Sequence, residues 1–215
     1  MLLSDLFESP LPDEWDKTVF SNKTSFKNRL EYLLKNAQKL GKGSSRIAVE
    51  IPYNGRMTVL KVACNRKGLA QNFAEANVLG DIYAPSHLIP LIDYDTGNGN
   101  TVYWIHTEKA EKMTSGFFKN YFGIDTADFA NCYAYRFRNT RYIMLEPDIF
   151  NDLRQKDIDK YNLVNEYLDV IHELKENFMV DPREFIAYDN WGVFNDEPVI
   201  IDVGYTDESK KAYGH

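Results

Sequence analysis

Asn54-Gly55 separates two runs rich in apolar and β-branched residues, Ile47-Ala48-Val49-Glu50-Ile51 and Met57-Thr58-Val59-Leu60-Lys61-Val62-Ala63. Both central residues of the tightest hairpin turn must tolerate positive φ, and Asn-Gly does so best, so the pair predicts an antiparallel hairpin. Upstream, Thr24 or Ser25 can cap a helix whose apolar residues Leu30, Leu33, Leu34, Ala37 and Leu40 fall on one face, with Gly41 expected to end it. Downstream, residues 70 to 80 read as a short helix. Leu88 to Asp93 and Thr101 to His106 read as two more strands around the turn Gly97-Asn98-Gly99-Asn100. Residues 24–110 thus form one unit, an antiparallel sheet with one or two helices. Residues 1–23, with Pro10 and Pro12 and no sustained period, read as an irregular arm.

Past Ala110 the pattern changes. Residues 113 to 140 are aromatic-rich and predict helical pieces. Leu163, Tyr167, Val170, Ile171, Leu174 and Phe178 then mark one face of a long helix from about Asp157 to Asn177. Residues 111–215 are therefore expected to form a mostly helical unit that ends in a hairpin. In that hairpin Trp191-Gly192-Val193-Phe194 and Val199-Ile200-Ile201 flank the turn Asn195-Asp196-Glu197-Pro198.

Composition narrows the function. The 215 residues carry 25 Lys and Arg against 32 Asp and Glu, a net charge of −7 without a long basic run, which argues against a nucleic-acid partner or an anionic membrane. No stretch approaches the ~18 apolar residues of a membrane span and the N-terminus lacks a leader pattern, so a cytoplasmic protein is expected. Cys64 and Cys132 have no metal-ligand spacing and are expected to be free thiols. The four histidines, His87, His106, His172 and His215, share no ligand spacing, and His172 reads as part of a solvated helix face.

Asn190 opens the first strand of the C-terminal hairpin and Asp202 follows the second, twelve residues on. An amide oxygen and a carboxylate suit Mg²⁺, a hard cation that keeps some of its water for substrate phosphates. Upstream, Leu40-Gly41-Lys42-Gly43-Ser44-Ser45-Arg46 precedes the first strand of the Asn-Gly hairpin, Lys61 lies on the second, and Glu75 on the helix after it. Singly, each has an ordinary reading: a turn, a solvated edge charge, a surface helix residue.

Taken in order, these pieces resemble the protein-kinase-like fold, with its Gly-rich loop, strand lysine, helix glutamate, catalytic-loop asparagine and metal-binding aspartate before glycine. The resemblance covers roughly residues 38 to 206. It is closest to short phage-encoded kinase-like proteins, whose chains end soon after a run like Ile201-Asp202-Val203-Gly204-Tyr205-Thr206. It implies an α+β, two-lobed fold with an antiparallel β N-lobe and a truncated, mostly helical C-lobe. It also implies ATP and Mg²⁺ as cofactors. Gly41, Gly43, Ser44, Ser45, Lys61 and Glu75 would bind nucleotide, Asn190 and Asp202 the metal, and Lys61 and Asp189 would act in catalysis.

The departures from the family pattern are specific. Arg46 stands where the third glycine of the loop would fall, expected to narrow the loop or to turn a charge towards the phosphates. Lys61 and Glu75 are only fourteen residues apart, which requires a helix trimmed or entered early. The catalytic aspartate would fall at position 185, which is Phe; Asp181, Glu184 and Asp189 are the neighbouring carboxylates. With 11 residues after Gly204, no activation segment is expected. Three functions follow as expectations. One is an ATP- and Mg²⁺-dependent phosphotransferase acting on a protein or small molecule. The second is a pseudokinase-like module that grips a partner protein, in the host cytoplasm for a phage-encoded chain. The third is AMP transfer with a reversed nucleotide, to which Arg46 is the one pointer.

Overall fold

The computed structural model describes residues 11–96, 101–137 and 147–211. The chain divides into two compact units. One comprises residues 1–80, 90–109 and 208–215, and the other residues 81–89 and 110–207. The fold is mixed α+β, an antiparallel sheet unit and a mostly helical unit.

In the sheet unit, helix α1 (Phe26–Asn36) is capped by the Ser25 hydroxyl, which accepts from the Asn28 N–H. It ends at Ala37, short of the predicted Leu40, because residues 38–42 pair as strand β1 (Gln38–Lys42) with strand β2 (Arg46–Tyr53). Leu40 lies on this edge strand and is exposed. Strand β3 (Arg56–Ala63) completes the Asn54-Gly55 hairpin, whose turn residues have φ of 47° and 77° as predicted. Helix α2 (Arg66–Leu79) begins almost directly after β3, capped by Asn65, four residues earlier than predicted. Strands β4 (Leu91–Tyr94) and β5 (Trp104–Thr107) close a five-stranded sheet of order β1-β2-β3-β5-β4. The predicted turn at 97–100 lies outside the described residues.

Gly68 allows the early start of α2. A Cβ there would sit 2.2 Å from the Ser45 carbonyl oxygen and 3.0 Å from Ala63 Cα, so only glycine lets the first turn of the helix rest on the ends of β2 and β3.

The core of this unit joins Leu33, Ile47, Val49, Ile51, Leu60, Val62 and Trp104 with Leu11, Trp15 and Phe20 of the N-terminal arm. The described part of the arm therefore packs into the core of the sheet unit. Arg29, wholly buried on α1, fastens it by donating to the carbonyls of Val19, Ser21 and Thr24, with its guanidinium 4.1 Å from the Tyr103 ring centroid.

In the helical unit, helices α3 (Ser115–Phe122), α4 (Thr126–Phe137), α5 (Asp148–Lys156) and α6 (Ile158–Phe178) precede the hairpin. The long helix matches its predicted span within a residue at each end, and Asp157 caps it. Its Tyr167 packs with Phe122 and Trp191 in an aromatic core to which Phe118 and Phe129 also belong. His172 is less solvated than its helical position predicted: its ring stacks on Phe137 at 4.0 Å. Strands β6 (Glu111–Lys112), β7 (Trp191–Phe194) and β8 (Glu197–Ile200) form a three-stranded antiparallel sheet. Asn195 and Asp196, at φ of 52° and 66°, make its β7–β8 turn.

Candidate active site

In the sheet unit, Lys61 sits in the middle of β3, paired with Ala48 of β2 and Ile105 of β5. A lysine on a central strand cannot be the solvated edge charge of the ordinary reading. Its side chain is only 12% exposed, so its charge requires a partner. Its Nζ donates to Glu75 Oε1, on the third turn of α2. Glu75 is wholly buried. Fourteen residues suffice for this pair because α2 begins three residues after β3 ends. The third strand of the sheet carries a lysine paired with a glutamate on the helix that follows, the arrangement that the kinase pattern requires. The fold is protein-kinase-like.

Arg46, expected to narrow the loop or to turn a charge towards the phosphates, turns its charge inward from the start of β2. Its Nη1 donates to Glu75 Oε2 and lies 3.4 Å from Asn72 Oδ1. Asn72 in turn donates to the carbonyls of Val102 and Tyr103, at 3.2 and 3.0 Å. Sequence reasoning missed this second cation on Glu75, since Arg46 lies 29 residues before it.

The Gly-rich segment is a tight β1–β2 turn, closed by Gly43 N–H donating to the Arg46 carbonyl at 3.0 Å. A Cβ on Gly41 would meet no atom within 4 Å, and one on Gly43 only the Arg46 carbonyl at 3.9 Å. Neither has positive φ, so no internal contact or backbone strain demands glycine at either place. Ser44 is exposed and its carbonyl accepts from Asn65. Ser45 is buried, and its hydroxyl donates to Gln71.

In the helical unit, the segment 181–190 leads into β7. Asp181 caps a 3₁₀ turn (Pro182–Ile186), accepting from the Arg183 N–H and pairing with its guanidinium at 2.6 Å. Phe185, in the place of the family's catalytic aspartate, is buried, and its carbonyl accepts from Trp191 Nε1 at 3.0 Å. Asp189 is 88% exposed and 4.0 Å from Lys112. Glu184 is the carboxylate beside Asn190: Asn190 Nδ2 donates to the Glu184 carbonyl at 2.7 Å and lies 3.3 Å from Glu184 Oε2. With its amide hydrogens directed at Glu184, Asn190 has Oδ1 to offer a ligand.

Trp191 pairs with Ile200, and Ile201 N–H donates to the Asn190 carbonyl at 3.0 Å, so the ladder extends to the residue before Asp202. Asp202 Oδ1 accepts from the Gly204 N–H at 3.1 Å. The donor set, one amide oxygen and one carboxylate, fits Mg²⁺ better than a softer ion. Among the described residues no group of three or more His, Cys, Asp or Glu side chains could hold a metal. Cys64 and Cys132 form no disulfide.

No model of a known protein family matches the chain, and no curated protein matches it in sequence. Solved structures similar to it include the Mycobacterium tuberculosis PknI kinase domain, at 14% identity and a TM-score of 0.39, over 79% of this chain and 59% of that one. The GDP and kanamycin complex of APH(2")-IIia aligns at 12% identity and a TM-score of 0.38, over 81% of this chain and 68% of that one. Aminoglycoside phosphotransferase APH(4)-Ia aligns at 11% and 0.37, over 80% of this chain and 66% of that one. These overlaps are loose. No described helix is long and apolar enough to cross a membrane.

Proposed function

We propose that this chain is an ATP- and Mg²⁺-dependent kinase-like phosphotransferase acting on a protein or small molecule. The observation that carries the reading is the Lys61–Glu75 pair on a central strand, a buried ion pair that a sheet does not need for stability. Lys61 would present a point charge to nucleotide phosphates, and Gly41, Gly43, Ser44 and the backbone of Ser45 would hold them. The glycines support this because nothing inside the protein requires them. Asn190 and Asp202 would hold Mg²⁺, which would supply neutralisation of the charge on the transferred phosphoryl group. Glu184, whose Oε2 lies 3.3 Å from Asn190 Nδ2, serves as the base in preference to Asp189, which is exposed beside Lys112. The same reading includes a cytoplasmic setting, that of a host cell for a phage-encoded chain.

A pseudokinase-like module that binds a partner protein is the second reading, favoured by one observation. Phe185 fills the catalytic-aspartate position and is buried against Trp191, so that position serves packing.

Thermal unfolding with ATP, with Mg²⁺ and with both tests the first reading. A ligand at 100 times its dissociation constant adds about 2.7 kcal/mol to the folded state. A raised midpoint only with both together, lost in Asp202→Asn, is the expected result. No shift under any condition would overturn the nucleotide reading and favour the second.

A further inference from the structure

We infer that Arg46 is a positioning residue that keeps the Lys61–Glu75 pair assembled in the absence of any ligand, so that helix α2 needs no partner or modification to bring Glu75 to Lys61. The inference deepens the nucleotide-binding reading of Lys61 and rests on it for its consequence, though not for its geometry.

Glu75 has two carboxylate oxygens, and each meets a different cation: Oε1 meets Lys61 of β3 and Oε2 meets Arg46 of β2. A carboxylate held at one oxygen can rotate about its last bond, whereas one held at both has its plane fixed. The planar guanidinium also reaches Asn72, one helical turn before Glu75, and Asn72 is bonded to the backbone just ahead of β5. Arg46 therefore ties two successive turns of α2 to β2. Gly68 brings the first turn of the same helix against the Ser45 carbonyl, and only Cys64 and Asn65 connect it to β3. A helix fastened at its start by close backbone contact and at its middle by a shared cation has little room to swing. Without Arg46 the buried Oε2 loses its donor, and conformations in which Glu75 leaves Lys61 gain population.

The test reads Lys61 directly. In the full-length protein without nucleotide, the ammonium of Lys61 is expected to give a sharp ¹H–¹⁵N signal in a lysine-selective spectrum, assigned by its loss in Lys61→Met. Arg46→Gln should broaden that signal beyond detection while the remaining spectrum stays dispersed. If Arg46→Gln does not fold, Arg46→Lys carries the test. The lysine side chain is one bond shorter, so its ammonium falls short of the Nη1 position from which Glu75 and Asn72 are both met, and the Lys61 signal should weaken. Mg·ATP titrated into the same proteins separates this inference from the functional reading. If the assembled state falls to about a tenth of the population, the apparent dissociation constant rises about tenfold. A Lys61 signal unchanged in Arg46→Gln, or in Arg46→Lys where that variant is the one that folds, would overturn the inference. So would its absence from the wild-type protein. An intact, Arg46-dependent signal in a wild-type protein that does not bind Mg·ATP would support the inference and sink the nucleotide reading.

Discussion

Ile201 donates its N–H to the carbonyl of Asn190 at 3.0 Å, and through that bond the β7–β8 ladder sets Asp202 one residue beyond Asn190's partner. A hairpin with a two-residue turn has a fixed register, so the position of Asp202 along the chain relative to Asn190 is dictated by Asn195-Asp196. Two oxygen-bearing side chains are thus placed by local structure alone, within one unit of the fold.

Asp202→Asn should weaken Mg²⁺-dependent ATP binding by well over tenfold, because a carboxylate ligand becomes a neutral amide. Its Oδ1 accepts from Gly204, a bond that Asn can keep, so the loss of stability should stay within about 1 kcal/mol. Calorimetric titration of Mg·ATP, together with urea unfolding, measures both. Unchanged affinity would reduce Asp202 to a turn residue.

Glu184→Gln should lower the rate of phosphoryl transfer by roughly 10²- to 10⁴-fold with ATP affinity retained, the range for loss of a general base. Asp189→Asn should leave turnover near the wild-type value, since Asp189 is exposed beside Lys112. The reverse pattern in a steady-state comparison of the two variants would reassign the base.

His106 predicts an acid-sensitive fold. It is wholly buried, with Nε2 2.7 Å from Thr58 Oγ1; that hydroxyl donates to the Ile51 carbonyl, so the ring is the donor. Burial lowers its pKa from 6.5 to about 4, against an upward pull from Glu108. Between those values the unfolded chain binds a proton that the folded one refuses. Stability should therefore be fully present above about pH 6.5 and fall towards pH 4, by up to about 1.4 kcal/mol per pH unit from this group. Denaturant unfolding between pH 7.5 and 5 should show that slope in the wild-type protein and a flatter one in His106→Gln. Equal slopes would remove His106 as the cause.

Gly68→Ala should destabilise the fold by about 2 kcal/mol, although alanine favours helix by roughly 1 kcal/mol. The new Cβ would meet the Ser45 carbonyl, a backbone atom that cannot swing aside. A variant as stable as wild type in urea would mean that the start of α2 is not held against the sheet.

The parts of the fold legible in the sequence were those with a local signal. Asn54-Gly55 specified its hairpin because positive φ at two successive residues leaves few alternatives, and α6 was found because its apolar face repeats over 21 residues. Strand β1 was missed because it is an edge strand with scarcely a buried residue, and Leu40 fell by coincidence on the spacing of α1. The arm read as irregular because Leu11, Trp15 and Phe20 fill gaps in the core without any period. At the candidate site, Lys61 and Glu75 were legible as types in order. Arg46 was not, since its partner is fixed only when β2 and α2 meet across 29 residues. Glu184 was visible as a neighbouring carboxylate, but its closeness to Asn190 comes from a 3₁₀ turn that no sequence period marks.

Formation of ADP from Mg·ATP by wild type and by Lys61→Met, with a panel of protein and small-molecule acceptors, tests the central claim most directly. Arg46 still pairs with Glu75 in the variant, so the fold should persist, with an unfolding midpoint lowered because Glu75 Oε1 loses its donor. The account predicts turnover in the wild-type protein and its abolition in folded Lys61→Met. Equal turnover in the two proteins, or binding of Mg·ATP without any turnover by the wild type, would contradict it.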